Sequence, residues 1–147
     1  MMSLLTNEPL LAAVIATFAA QVIKVLLVLL TERRWAFDRL LETGGMPSSH
    51  SATVTAVAAA IGVVDGLGST TFALAVVLSG IVMYDASGIR RAAGMHAQLI
   101  NDLVQELAHL IDDGFQPAVL KTLLGHTYPQ VLAGAILGIG TGLLVAM

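Results

Sequence analysis

Apolar residues in this chain fall into long runs broken by short polar stretches, and the run lengths match helices rather than strands. The first run, residues 9–30, is long enough to cross a hydrocarbon core, which takes roughly 20 helical residues. Pro9 in its first turn suits a helix start. Inside it Thr17, Gln21, Lys24 and Thr31 recur at helical spacing and mark one polar stripe. Two shorter runs follow, residues 51–64 and 70–83, separated by Asp65-Gly66-Leu67-Gly68-Ser69, a turn without a basic residue. The pattern predicts a helical hairpin extended at its wet ends by Ser and Thr; two buried core helices are the alternative.

From residue 89 to 111 the pattern becomes amphipathic. Ile89, Ala92, His96, Leu99, Leu103, Leu107 and Leu110 share one face, while Arg91, Gln98, Asp102, Gln105, His109 and Asp112 lie largely on the other. Such a helix can rest on a bilayer or cover a bundle, and His96 on its apolar face is expected to turn towards the bundle. A polar link with Gly114, Pro117, Gly125 and Pro129 holds a short apolar piece, residues 118–124. In the last run, residues 131–147, Gly134, Gly138 and Gly142 at spacings of four give one face smooth enough for close packing, within the bundle or against a second copy.

Composition turns this pattern into a membrane protein. Of 147 residues 56% are hydrophobic and 12% charged, and the mean hydropathy is +0.85, beyond an ordinary soluble domain. The expectation is an all-α integral membrane helical bundle of about four membrane helices plus one amphipathic helix on the cytoplasmic side, with residues 1–147 forming a single domain. Seven Lys and Arg against a net charge of -3 leave no basic stripe for nucleic acid. Absence of cysteine removes thiolate catalysis, disulfides and Cys-based zinc sites. Three arginines follow the first run and two follow the third, whereas the other side has none, so the basic side is expected to face the cytoplasm. Trp35 and Phe37 fit an interfacial belt.

Two polar clusters interrupt the apolar pattern. Gly44-Gly45-Met46-Pro47-Ser48-Ser49-His50-Ser51 is a small, hydroxyl-rich turn at a helix start, where unpaired backbone N–H groups favour an anion. Gly44 and Gly45 allow close backbone approach, and His50 can donate a proton or attack. The plainer alternative is a helix cap from Ser48 or Ser49. The second cluster is Tyr84-Asp85-Ala86-Ser87-Gly88-Ile89-Arg90-Arg91. Arg90 and Arg91 suit phosphate oxygens or serve as positive-inside anchors. Asp85 can orient an imidazole, pair with Arg90 or bind a divalent cation. Lys24 either snorkels or meets an anion. A hairpin brings both clusters to one side of the membrane, while His109 and His126, outside any constellation, read as solvent or interface residues.

With Ala20-Gln21-Val22-Ile23-Lys24, the two clusters and Asn101, the chain resembles the divergent branch of the type 2 phosphatidic acid phosphatase family, related at greater distance to vanadium haloperoxidases. The wider family carries K-x6-R-P, P-S-G-H and S-R-x5-H-x3-D. Pro47-Ser48-Ser49-His50 resembles the second motif, and Arg90 to His96 has the R-x5-H spacing of the third, with Ile100 four beyond His96 and Asn101 and Asp102 beside it. The resemblance implies hydrolysis of a lipid phosphate monoester of the phosphatidate, phosphatidylglycerophosphate or isoprenoid phosphate class, at the cytoplasmic face of a bacterial membrane. It assigns His50, Asp85 and His96 to catalysis and Lys24, Ser48, Ser49, Arg90 and Arg91 to phosphate, supported by Gly44, Gly45, Asn101 and Asp102. In one version His96 attacks phosphorus and His50 protonates the leaving alcohol; in the other His50 is the only essential histidine, with Asp85 as its orienter or as a metal ligand. No cofactor is required by the resemblance, a divalent cation at Asp85 aside. The expected partners are membrane lipid, the lipid phosphate and a second copy in a homodimer. The competing class is a membrane protein without turnover that binds phosphorylated lipid or serves in assembly.

Overall fold

A computed structural model describes residues 6–35, 44–108, 118–122 and 124–147. The described residues form five helices and no strand: α1 (Glu8–Glu32), α2 (Ser49–Val64), α3 (Thr70–Ser87), α4 (Ile89–Ala108) and α5 (Tyr128–Ala146). Three helical stretches are long and apolar enough to cross a membrane, α1, residues 70–107 and α5, and α2 is a shorter apolar helix beside them. The chain is an all-helical membrane bundle.

Local chemistry sets the helix ends. The Asn7 side chain accepts from Leu10 N–H at the start of α1, and Ser69 does the same for Phe72 at the start of α3. The turn between α2 and α3 passes through Gly66 at a φ of 86°, a conformation that favours glycine. The hairpin expected between residues 51 and 83 forms. Its second arm runs on to Ser87 and passes into α4 after Gly88 alone, four residues beyond the end of the apolar run. Ser87 is accommodated because its hydroxyl donates back to the Met83 carbonyl.

At the centre α2 packs most extensively against α5, then against α1. The core consists of small side chains: Ala12, Ala16 and Ala20 of α1 and Ala52, Ala56 and Ala60 of α2 are fully buried. The glycine face of α5 completes it, packing within the bundle. A Cβ at Gly134 would collide with the Ser48 carbonyl, one at Gly138 with the Ala52 carbonyl and the Thr55 hydroxyl, and one at Gly142 with the Ala56 carbonyl. Steps of four on both helices keep α2 and α5 parallel and in register, with backbones nearly touching. Water does not drive helices together inside a bilayer, so such close packing and interhelical hydrogen bonds carry the association. Thr17 and Thr53 share a hydrogen bond at 2.6 Å between α1 and α2, Thr55 donates to Ala135 O at 3.2 Å, and Ser79 of α3 donates to Val54 O at 3.0 Å.

The registers place the C-terminal ends of α1 and α3 and the N-terminal ends of α2 and α5 at one end of the bundle. Arg33, Arg34, Arg90 and Arg91 stand at that end, beyond or beside these termini. Trp35 is exposed there, as an interfacial residue should be, whereas Phe37 and Arg39 lie outside the described residues.

Candidate phosphate site

The polar end is built around a buried lysine. Lys24 is only 3% exposed, two turns inside α1, and its side chain runs beside Gly45, whose missing Cβ would stand 3.9 Å from Lys24 Cδ. It is enclosed by protein rather than snorkelling. Gly45 has a φ of 88°, so this turn is open to glycine and strained for other residues. A pocket of about 200 Å³ lies here, lined by Lys24, Thr31, Glu32, Gly44, Gly45 and Met46 among others.

From that turn the chain enters α2 through a cis Met46–Pro47 bond and a serine cap. Ser48 accepts from both the N–H and the hydroxyl of Ser51, at 3.3 and 3.0 Å, so the helix-cap reading holds for this residue. Its own N–H donates to the Gln130 carbonyl at 3.0 Å, which fixes the start of α2 against the first turn of α5. Ser48, Ser49 and Ser51 are buried and His50 is half-buried.

The residue opposite His50 is His126. The two rings lie 6.2 Å apart at a tilt of 59°. His126 stands two residues before α5 and is 3% exposed, contrary to the expectation of a solvent or interface position. Its position comes from a strap, residues 118–122 and 124–127, that runs antiparallel along α4. The Asn101 amide donates to Leu120 O and accepts from Leu120 N, both at 2.9 Å. Further along, Gly94 leaves room for the Thr122 and Leu124 carbonyls, which would stand 2.7 and 3.0 Å from a Cβ there. Gly125, at a φ of 77°, passes directly against the Arg90–Arg91 backbone, and His126 N–H donates to Ala86 O at 2.8 Å. Leu120 at Asn101, Thr122 and Leu124 at Gly94, and Gly125 at Arg91 follow in order, which sets the antiparallel register.

Burial holds the His126 imidazole below its ordinary pKa, and the Lys24 charge pushes it the same way. Neither ring nitrogen has a hydrogen-bond partner of good geometry, although the Gln130 side chain and Gly45 backbone lie near enough to offset part of the shift. Gln130 Oε1 is already taken by the Thr127 N–H at 3.0 Å. The charges that bear on His50 are those of Arg90, Lys24 and Asp85. Asp85 and Arg90 form an ion pair at 2.6 Å. With the N-terminal ends of α2 and α5 both directed here, the site combines two imidazoles, an ammonium and two helix starts, an arrangement suited to a phosphate.

Lys24, Gly44, Gly45, Ser48, Ser49, His50, Asp85 and Arg90 are thus brought to this end as expected. Arg91 is exposed, its backbone packed under Gly125. His96 is exposed on α4 instead of facing the bundle, because the face of α4 that is covered is the one bearing Gly94, Ala97 and Asn101, and the strap covers it. Asp102 is exposed as well, Asn101 clamps the strap, and His109 lies outside the described residues. Among the described residues no group of three or more His, Asp and Glu side chains stands close enough to hold a metal ion. The residue that sequence reading passed over is His126. Its signal is spacing: His126-x3-Gln130 repeats the H-x3 step of the third motif, with an amide where the motif has a carboxylate.

Comparison with known proteins agrees with this architecture. The model of the Divergent PAP2 family matches residues 5–141. The Bacillus subtilis (strain 168) protein described as uncharacterized membrane protein YuiD is 40% identical over 154 residues, covering 99% of this chain and 98% of its own. No solved structure matches the chain. A family match spanning both histidine turns, the buried lysine, Gly134 and Gly138 leads to one assignment: the chain belongs to the divergent PAP2 family.

Proposed function

We propose that this protein is a membrane phosphatase that hydrolyses a lipid phosphate monoester at the bilayer surface, with His126 and His50 as its two working histidines. The observation that carries the reading is their 6.2 Å separation beside buried Lys24. His126 is the nucleophile: burial keeps its ring neutral near pH 7, so a ring lone pair is free to attack. As the N–P bond forms, the bond from phosphorus to the lipid oxygen breaks, and His50, which the negative charge of the bound phosphate favours in its protonated form, gives its proton to the departing alcohol. Neutral His50 then takes a proton from water, whose oxygen attacks phosphorus while the N–P bond breaks, releasing orthophosphate and restoring both imidazoles. Lys24 and the first-turn N–H groups of α2 stabilise charge on the non-bridging oxygens. Asp85 holds Arg90 in place at the rim. The basic end of the bundle faces the cytoplasm in this reading.

The alternative, a binder of phosphorylated lipid without turnover, is favoured by one observation: Gln130 supplies no carboxylate to orient His126, and its side-chain oxygen is spent on Thr127 N–H. Phosphate release from phosphatidate, phosphatidylglycerophosphate and isoprenyl phosphates in detergent separates the two. Hydrolysis is expected to fall by about 10²–10⁴-fold in either His50→Gln or His126→Gln while His96→Gln retains it. Retained release in His126→Gln, or its loss in His96→Gln alone, refutes the assignment; phosphatidate binding without release from the native protein establishes the binder.

A further inference from the structure

Between α2, α3 and α5 runs a groove of about 650 Å³, lined by Gly62 and Val63 of α2, Phe72, Val76 and Met83 of α3, and Ile139 of α5. We infer that this groove holds one hydrocarbon chain of the lipid whose phosphate occupies the site, an inference that rests on the proposed function and extends it to substrate selection.

Four observations converge on that occupant. The first is continuity. The three helices that wall the groove are the ones whose polar ends carry His50, Asp85 and the turn of His126. Met83 stands two residues before Asp85, and from Met83 to Phe72 the groove follows α3 for about 16 Å into the apolar depth of the bundle. The groove thus begins just below the rim that carries Asp85, on the apolar side of the polar end. The second is chemistry. The polar side chains in the lining, Thr55 and Ser79, have both hydroxyls committed to backbone carbonyls: Thr55 to Ser51 at 2.7 Å and to Ala135, Ser79 to Ala75 at 2.7 Å and to Val54. What remains is a wall that offers a ligand only dispersion and methyl contacts. The third is access. Val76 is 46% exposed and Gly80 is exposed, so the groove opens sideways towards the bilayer rather than towards water. The fourth is an unused volume. A Cβ on Gly80 would have nothing within 4 Å, while one on Gly62, on the opposite wall, would stand 3.0 to 3.2 Å from the Leu67 and Phe72 side chains. One wall of the groove is thus closed by side chains and the other is left bare by a glycine whose replacement meets no steric objection.

That bare glycine supplies the test. Gly80→Phe puts a ring into the groove more than one helical turn below Asp85 and replaces no residue of the site. The probe is phosphatidate carrying a diazirine in one acyl chain, photolysed with the full-length protein in phosphatidylcholine vesicles and mapped by mass spectrometry. Labelling is expected at Phe72, Val76 and Met83, competed by unlabelled phosphatidate, and reduced about tenfold by Gly80→Phe, the loss of roughly two buried methylenes. Equal labelling by a diazirine phosphatidylcholine, or label spread over the outer faces of α1 and α5, identifies ordinary bilayer lipid and overturns the inference. Where hydrolysis is measured, Gly80→Phe is expected to raise KM for long-chain phosphatidate about tenfold and to leave release from a water-soluble phosphate monoester unchanged. A protein that labels in the groove and releases no phosphate from any substrate upholds the groove and refutes the phosphatase; unchanged labelling in Gly80→Phe refutes the groove and leaves the phosphatase standing.

Discussion

The two halves of this bundle are held together in different ways. Where α1, α2 and α5 meet, contact is nearly backbone to backbone, through alanines and glycines repeating every four residues. On the other side, side chains of α3 leave a groove open against α2 and α5, and the strap is attached to α4 by glycine contacts and by the two hydrogen bonds between Asn101 and Leu120. Yet His126 belongs to both, since it sits at the start of α5 and at the end of the strap. The tight half fixes where the site is, and the loose half decides what lies against it.

That difference can be broken most severely at Gly138. Gly138→Leu drives a side chain into the Ala52 carbonyl and is expected to cost at least about 3 kcal/mol, read as a collapse of thermal unfolding in detergent. Gly80→Leu, the same change in the loose half, is expected to leave the unfolding temperature unaltered. A comparable loss in both would erase the distinction. Next in size is Asn101→Ala, which removes both hydrogen bonds to Leu120 and is expected to cost about 1–2 kcal/mol. Its more telling readout is His126: carbethoxylation of that ring, slow in the native protein, should accelerate while that of His50 changes little. Unchanged labelling of His126 would mean that α5 alone holds it.

Acid probes the same junction. The folded pKa of His126 lies below the ordinary imidazole value, so the unfolded chain binds the proton more readily. The stability that its neutral form contributes is complete above about pH 6.5 and is lost as the pH falls from there through the lowered value. Unfolding temperatures measured across that window should fall in the native protein and stay flatter in His126→Gln. Parallel curves would remove His126 from the balance. The smallest effect is expected inside the tight half: Thr17→Val breaks one of several contacts between α1 and α2 and should cost about 0.6 kcal/mol.

Helices were legible because their signals are local. Run length and the four-residue glycine spacing marked α1 and α5, and Asp65-Gly66 marked the turn between α2 and α3. The end of α3 was less so, because Tyr84 to Ser87 is polar enough to resemble a loop and stays helical through a hydroxyl bond back to Met83. In the site, Lys24, His50, Asp85 and Arg90 came through because each lies beside an apolar run that fixes its depth. His126 did not. A strap has no helical periodicity of its own, and its path is set by its own Gly125 and by Gly94 and Asn101 on a helix some twenty to thirty residues earlier. His96 attracted attention through its spacing from Arg90, but spacing along one helix says nothing about which face a later segment will cover.

The antiparallel strap also orders events during synthesis. A chain made as far as residue 117 already contains Lys24, His50, Asp85 and Asn101. It still lacks His126 opposite His50, Leu120 for Asn101, and Gln130 and the glycine face of α5 for the start of α2. The facing pair of imidazoles is therefore among the last things the ribosome makes possible. A truncated or half-inserted chain carries most of the polar residues without the arrangement that gathers them.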